Sequence, residues 1–252
     1  MIRMNDRRWP SSIYADWEAM SERYLPGRAE LLASMSATLA ELQPHVIVDL
    51  GCGPATVTSA VADAFPDAVV IGVDHDPALL VLARQLQTPE TRLQIVDARV
   101  DGDWRSRVEQ RPDAVVTVLV LHYFAQAAWP AILRRIADGL EPGEVFVNID
   151  VFADLVDADG RLSASGPAPA PAPAPESSSG DEVDSDEWWR RLRASTDPAI
   201  AVGLEARSQM EFVSAEFHPD LAAYRVMLAE AGFTRVDVVD RVGAACIVVA
   251  YK

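Results

Sequence analysis

Asp49, Asp74 and Asp97 each close a short apolar run, and Gly51 and Gly53 follow the first of these acids at once. The stretch Val46-Ile47-Val48-Asp49-Leu50-Gly51-Cys52-Gly53-Pro54-Ala55 leads into a helix-like segment from Thr56 to Phe65. A second apolar run, Ala68 to Val73, then stops at Asp74, 21 residues after Gly53. A strand, a tight turn, a helix and a second strand in this order form the unit that binds nucleoside-containing cofactors. Glycine lets the backbone approach a ligand where a Cβ would collide. The acid ending the second strand can accept hydrogen bonds from both ribose hydroxyls.

The turn also narrows the choice of cofactor. A dinucleotide fingerprint needs glycine at the sixth position of G-x-G-x-x-G, and here that position is Thr56. Pro54 removes a backbone N–H from the helix start, where a pyrophosphate would want donors. A cofactor without phosphates tolerates that loss. No Gly-Lys-Ser/Thr triplet occurs anywhere, so the phosphate loop of nucleotide triphosphatases is absent.

Composition sets wider bounds. The 252 residues are 50% apolar, enough for one well-cored domain. The formal net charge of −16 disfavours nucleic acid as a partner, because phosphate neutralisation by clustered basic side chains supplies most of that affinity. There is no run of 18 apolar residues and no basic-then-apolar leader, so a soluble, unexported, cytoplasmic protein with no membrane partner is expected. Cys52 and Cys246 are too far apart in sequence to make a disulfide framework or a metal motif. The oligomeric state is not legible; a homodimer is compatible with all of this.

These bounds and the pattern along the chain predict an α/β fold, doubly wound around a mostly parallel sheet. Residues 1–44 read as a helical cap broken at Pro26-Gly27. From 45 to 151 short apolar runs (45–50, 68–74, 92–97, 113–120, 144–151) alternate with amphipathic helices (55–65, 77–87, 125–139), as in a sheet with helices on both faces. Residues 152–215 read as an insertion. Its Pro-Ala tract and the acidic run from Glu176 to Glu187 are expected to be disordered between about 160 and 185, before Trp188-Trp189 either docks near the active site or packs on the body. Residues 216–252 give a last helix (217–231) and two apolar strands joined by a turn too short for a crossover, hence an antiparallel hairpin.

On these motifs the chain resembles the class I S-adenosylmethionine-dependent methyltransferases, over roughly residues 45–252. Val48 to Pro54 looks like the family's first motif, Gly72-Val73-Asp74 like its second-strand end, Val96-Asp97-Ala98 like its third, and Asp113 through His122 like its fourth-strand motif. Leu140 to Glu144 resembles the turn into strand five, and Ala231-Gly232-Phe233 the entry to the terminal hairpin. One departure is Ala55, where the family commonly has a third glycine. The resemblance implies a seven-stranded Rossmann-like sheet and S-adenosyl-L-methionine as cofactor. It implies that the loop bearing Asp49, Gly51 and Gly53 passes beneath the methionine end, that Leu119 is a further cofactor-binding residue, that Asp74 binds the ribose, and that Asp97 with the Ala98 amide reads the adenine edge. Arg28, following Pro26-Gly27, is a candidate partner for the cofactor's carboxylate.

Methyl transfer is an in-line displacement, so holding donor and acceptor in line is the main task, and a general base helps where the acceptor is a hydroxyl or protonated amine. His122, just after strand four, reads either as that base or as a wall of the cofactor pocket. His218 reads as a second acceptor-side group or a helix cap. Tyr14, Trp17, Tyr24 and Tyr123 are candidate acceptor-pocket aromatics or core. No Asn/Asp-Pro-Pro-Tyr/Phe motif and no Pro-Cys pair is present, against nucleobase acceptors. Strand four ends without an acid, so no metal site is expected, although Asn148 and Asp150 end strand five. The expected function is methylation of O or N on a small-molecule acceptor. A catalytically inactive cofactor-binding protein and an RNA methyltransferase are the alternatives.

Overall fold

The computed structural model describes residues 11–88, 91–155, 184–211 and 214–252. Seven strands form one sheet in the order β3-β2-β1-β4-β5-β7-β6. They are β1 (Val46–Leu50), β2 (Val69–Asp74), β3 (Leu93–Asp97), β4 (Ala114–Val118), β5 (Val145–Val151), β6 (Arg235–Val242) and β7 (Ala245–Tyr251). The first five are mutually parallel; β7 runs antiparallel to both β5 and β6. The expected fold class is therefore the one observed, down to the terminal hairpin.

The helices are α1 (Ser11–Tyr24), α2 (Arg28–Leu42), α3 (Thr56–Ala64), α4 (Pro77–Gln85), α5 (Trp129–Asp138), α6 (Ser185–Arg193), α7 (Pro198–Ser208) and α8 (Leu221–Ala231). Central strands are buried on both faces, which explains their nearly continuous apolar sequences. One face carries Ile47, Val116, Val147 and Ile149 against α1, α2, α3, α4 and α6. The other carries Val48, Val115, Phe146 and Val248 against α5 and α8. Because β1 lies between β2 and β4, the chain reverses direction of winding there. The crevice beyond the carboxyl ends of these strands is where such sheets bind ligands.

Three element boundaries depart from expectation for local reasons. Strand four stops at Val118 because Leu119 adopts a left-handed backbone, φ +56°. The last helix starts at Leu221, since Pro219 has no N–H to give and Asp220 is the N-cap, accepting from the Ala223 amide at 2.6 Å. The expected 125–139 helix is a 3-10 turn over Gln126–Ala128 followed by α5, which has Pro130 in its first turn. The insertion contributes α6 and α7 between β5 and α8. Its tract expected to be disordered, and the first ten residues of the cap, lie outside the described residues but for the start of α6.

Candidate active site

The turn after β1 is tied to β2: the amides of Gly51 and Cys52 donate to the Val73 carbonyl at 2.7 and 3.1 Å. Gly51 sits at φ +78°, and a Cβ there would lie 2.5 Å from Val120. Gly53 is also left-handed, and a Cβ on it would face the Trp17 indole at 3.3 Å. The backbone is thus bare where the methionine end of the cofactor is expected, and side chains from β4's exit and from α1 lie against it. Ala55, in place of a third glycine, takes the left-handed conformation all the same (φ +62°), fully buried at the start of α3. Cys52 packs beneath the turn against Gly72.

Asp49 is buried under this turn and accepts from the Thr58 hydroxyl at 2.6 Å. Burial pushes its carboxyl up to about 6, against the pull of that hydrogen bond; Asp74 nearby pushes the same way and Arg28 opposes. Asp74 is engaged more heavily than the sequence implied. Its carboxylate accepts from the amides of Gly53 (2.8 Å), His75 (2.7 Å) and Asp76 (2.9 Å), so it orders the turn. Burial raises its pKa and these amides hold it back. Asp97 is exposed at the end of β3 and has no polar partner among the described residues. The Ala98 amide, expected at the adenine edge, instead donates to the Asp74 carbonyl at 2.9 Å, because β2–β3 pairing continues one residue past the strand. The Leu119 amide is likewise spent, on the Ile149 carbonyl at 2.8 Å.

Arg28 opens α2, buried, and donates to Glu18 Oε2 of α1 at 2.5 Å. It lies close enough to Asp49 to favour that carboxylate. The cation is therefore near the glycine turn, held by a partner from the cap. The cap itself is fastened by the insertion. Trp188 of α6 is buried, meets Trp17 edge-on with ring centres 4.8 Å apart, and donates from Nε1 to the Ile13 carbonyl at 3.0 Å. Trp189 meets Trp188 at 4.9 Å and carries the Arg207 guanidinium over its ring, which in turn pairs with Asp76 at 2.6 Å. Docking beside the site and packing on the body are thus the same contact.

At the other end of the crevice, His122 follows β4 in a 3-10 turn, and its Nδ1 lies 2.8 Å from Asp150 Oδ1 at the end of β5. The Val151 amide donates to the same oxygen at 2.9 Å. Asp150 is wholly buried. An ionised carboxylate only accepts, so Nδ1 carries the proton and Nε2 is left with its lone pair. Burial pulls His122 toward its neutral form, but the hydrogen bond and charge of Asp150, joined by Glu216, outweigh it and leave the imidazole above its ordinary pKa. His218 stacks on His122 with ring centres 5.2 Å apart, its Nδ1 on the Val151 carbonyl at 3.2 Å and its Nε2 3.9 Å from Glu216. The helix cap is Asp220, and His218 lies beside His122 instead. His122, Asp150 and His218 offer ligand-type atoms within 4.8 Å of one another. Nδ1 and Oδ1 lie at hydrogen-bond distance from each other and so form a dyad.

Of the candidate aromatics, Tyr14 is core, its hydroxyl on the Leu82 carbonyl. Tyr24 and Tyr123 are exposed, and Tyr123 lies against His122 with ring centres 4.3 Å apart. Glu216, which sequence reasoning passed over, has a left-handed backbone (φ +46°) between two amides, Ala215 and Phe217, that donate to the Tyr123 and His122 carbonyls. Asp150 was visible in the sequence only as a strand-end acid. Its meaning lies in strand order: β5 is beside β4, so its last acid meets the residue that leaves β4.

An open, doubly wound α/β sheet with acid-tipped first strands and a glycine turn at the point of reversal defines a nucleoside-cofactor domain. Residues 47–143 match the family model described as a methyltransferase domain. Among curated relatives, a trans-aconitate 2-methyltransferase of Methylobacterium radiotolerans is 34% identical over 158 residues, 61% of this chain and 57% of that protein. A carboxy-S-adenosyl-L-methionine synthase of Geobacter metallireducens is 27% identical over 150 residues, 58% and 61% of the two. The chain thus spans between about half and three fifths of the length of these relatives. Among solved structures, magnesium protoporphyrin IX methyltransferase from Synechocystis PCC 6803 superposes with a TM-score of 0.56 at 14% identity, over 96% of this chain and 95% of that one, a likeness of fold alone. On these matches residues 47–143 resemble a methyltransferase domain, and the chain shares the fold of the solved methyltransferases. No described helix is long and apolar enough to cross a membrane.

Proposed function

We propose that the protein transfers the methyl group of S-adenosylmethionine to a hydroxyl or protonated amine of a small molecule, with His122 as general base. The observation that carries this reading is the 2.8 Å contact between His122 Nδ1 and Asp150 at the carboxyl ends of two adjacent strands. It fixes the ring and its tautomer, so that Nε2 is available to take a proton from an acceptor. Such a base typically adds 10²–10⁴-fold to the rate.

The residues present suit the cofactor. Gly51 and Gly53 leave the turn bare, and Asp97 is unpartnered at the edge. Arg28 and Asp49 feel each other's charge, as suits an amino-acid end bearing both charges. When bound, the sulfonium supplies an electrophilic methyl group. Asp74 holds the ribose with the lone pairs its three amides leave, Asp97 meets the adenine edge, and Arg28 turns from Glu18 toward the carboxylate. Leu119, turned out of β4 by its strained backbone, walls the methionine end.

The acceptor-side charge argues against carrying over the substrate for which the trans-aconitate relatives are named. That substrate is a polycarboxylate, and this end of the crevice carries the exposed Glu216, with the Asp150 carboxylate buried behind His122. A neutral or cationic acceptor with an aromatic surface for Tyr123 and Tyr24 fits better. The test is calorimetry with S-adenosylmethionine and S-adenosylhomocysteine, followed by turnover on a panel of phenols and aromatic amines by wild type and His122→Gln. Micromolar cofactor binding with turnover that falls at least a hundredfold in the variant supports the reading. Cofactor binding without turnover on any acceptor would leave a binding protein, and absent binding would overturn both.

A further inference from the structure

Beside the dyad, three buried polar atoms lack a hydrogen-bond partner: Asn148 Nδ2, Asp150 Oδ2 and Tyr224 OH. All three residues are 0% exposed. Unpaired groups at this depth are costly and uncommon, so three together call for an account. They share one place. Asn148 and Asp150 are two apart on β5, on the face that also carries Phe146 and Phe152. Tyr224 comes down from α8 onto that face, its ring 5.3 Å from Phe152 and 5.6 Å from Trp129. Its hydroxyl is under the influence of both the Asn148 amide and the Asp150 charge.

The donor and acceptor capacities of the three match in one direction. Thr117 Oγ1 of β4 donates to Asn148 Oδ1 at 2.7 Å, which orients the amide and leaves Nδ2 purely a donor. Asp150 Oδ2 is purely an acceptor. The Tyr224 hydroxyl alone among them both accepts and donates. We propose that Tyr224 is a positioning residue for the His122–Asp150 dyad: its oxygen accepts from Asn148 Nδ2 and its proton is donated to Asp150 Oδ2, directly or through one buried water. Thr117, Asn148, Tyr224, Asp150 and His122 then form one polarised chain across β4, β5 and α8, satisfying all three orphaned atoms. Chains of this kind strengthen their members in a dry interior. The catalytic consequence rests on His122 being the base; the tether itself does not.

Other groups around the dyad are few. His122 faces Asp150 from β5, Tyr123 on its own turn, and His218 and Glu216 from the segment before α8. Of the states the dyad can take, neutral imidazole beside ionised carboxylate is the one with an uncompensated buried charge. A donor to Oδ2 stabilises that state most, so losing it favours the protonated dyad. The test is an NMR titration of the His122 ring in wild type, in Tyr224→Phe, and in protein with 3-fluorotyrosine at position 224. Tyr224→Phe should raise the dyad's apparent pKa by about one unit, equivalent to a tenfold smaller active fraction below it. The fluorinated residue, a stronger donor of the same shape, should lower it. The acid limb of kcat/KM should follow both. An unchanged or lower pKa in Tyr224→Phe overturns the proposal. If that variant does not fold, the fluorotyrosine protein decides by the same criterion with opposite sign. Ring pKa values that move while the rate profile stays still would uphold the tether and refute His122 as the base.

Discussion

Affinity for S-adenosylmethionine is expected to fall about tenfold between pH 7 and pH 5, with Asp49 responsible. Asp49 is enclosed under the glycine turn with one hydroxyl donor, Thr58, and burial pushes its carboxyl up to about 6. A cationic ligand over the turn favours the ionised form. If binding returns Asp49 to the ordinary carboxylate value near 4, the change in protonated fraction weakens binding about tenfold at pH 5 and hardly at all at pH 7. At about pH 6 the free protein is half protonated and the complex almost not at all, so about half a proton is released per cofactor bound. Calorimetry at that pH in two buffers of different protonation enthalpy reads this number directly. Asp49→Asn should abolish both the proton release and the pH dependence. Identical enthalpies in the two buffers, or release that persists in Asp49→Asn, would refute the assignment.

The same shift has a sign in the unliganded protein. A carboxyl whose folded pKa is raised contributes stability that is present below its unfolded value near 3.9 and lost as pH rises through the folded value of about 6. By neutral pH the cost is about 3 kcal/mol. Asp49→Asn should recover most of it in urea unfolding at pH 7 while leaving acid stability unchanged. The acid at the end of β1 is on this reading a strained group that a cofactor relieves.

Three further outcomes follow from the site and its supports. Arg28→Met should weaken cofactor binding about 10–100-fold, the worth of a hydrogen-bonded charge; unchanged affinity by calorimetry would mean that Arg28 serves only Glu18. Trp188→Ala should cost about 3–5 kcal/mol in denaturant unfolding, since it removes a buried indole packed edge-on against Trp17; a loss below about 1 kcal/mol would show that α6 is dispensable to the cap. Chelators should leave turnover unchanged, because His122 Nδ1 and Asp150 Oδ1 already satisfy each other; activity lost on chelation and restored by a divalent ion would show that the dyad opens around a metal.

What could be read from the sequence and what could not divide along a physical line. The strands themselves, the acid-tipped edge and the terminal hairpin are encoded locally: apolar runs of strand length, glycines at a turn, a connection too short to cross over. Asp49, Gly51, Gly53, Asp74, Asp97 and Leu119 are all found at the edge where those signals put them. What lies outside those local signals is pairing beyond the strand ends. Ala98 loses its amide to Asp74 because β2 and β3 stay paired one residue further, and Arg28 meets Glu18 because α1 folds back on α2. Asp150, Glu216 and Tyr224 are more instructive, since nothing near them in sequence marks them. Asp150 reads as a strand-end acid until β5 lies beside β4, Tyr224 as one more apolar helix residue until α8 covers that face, and Glu216 as loop until its backbone is seen at φ +46°. The glycine-turn end of the crevice is legible because one continuous strand–turn–helix–strand unit builds it. The acceptor end was not, because it is assembled from three segments that only the sheet order brings together.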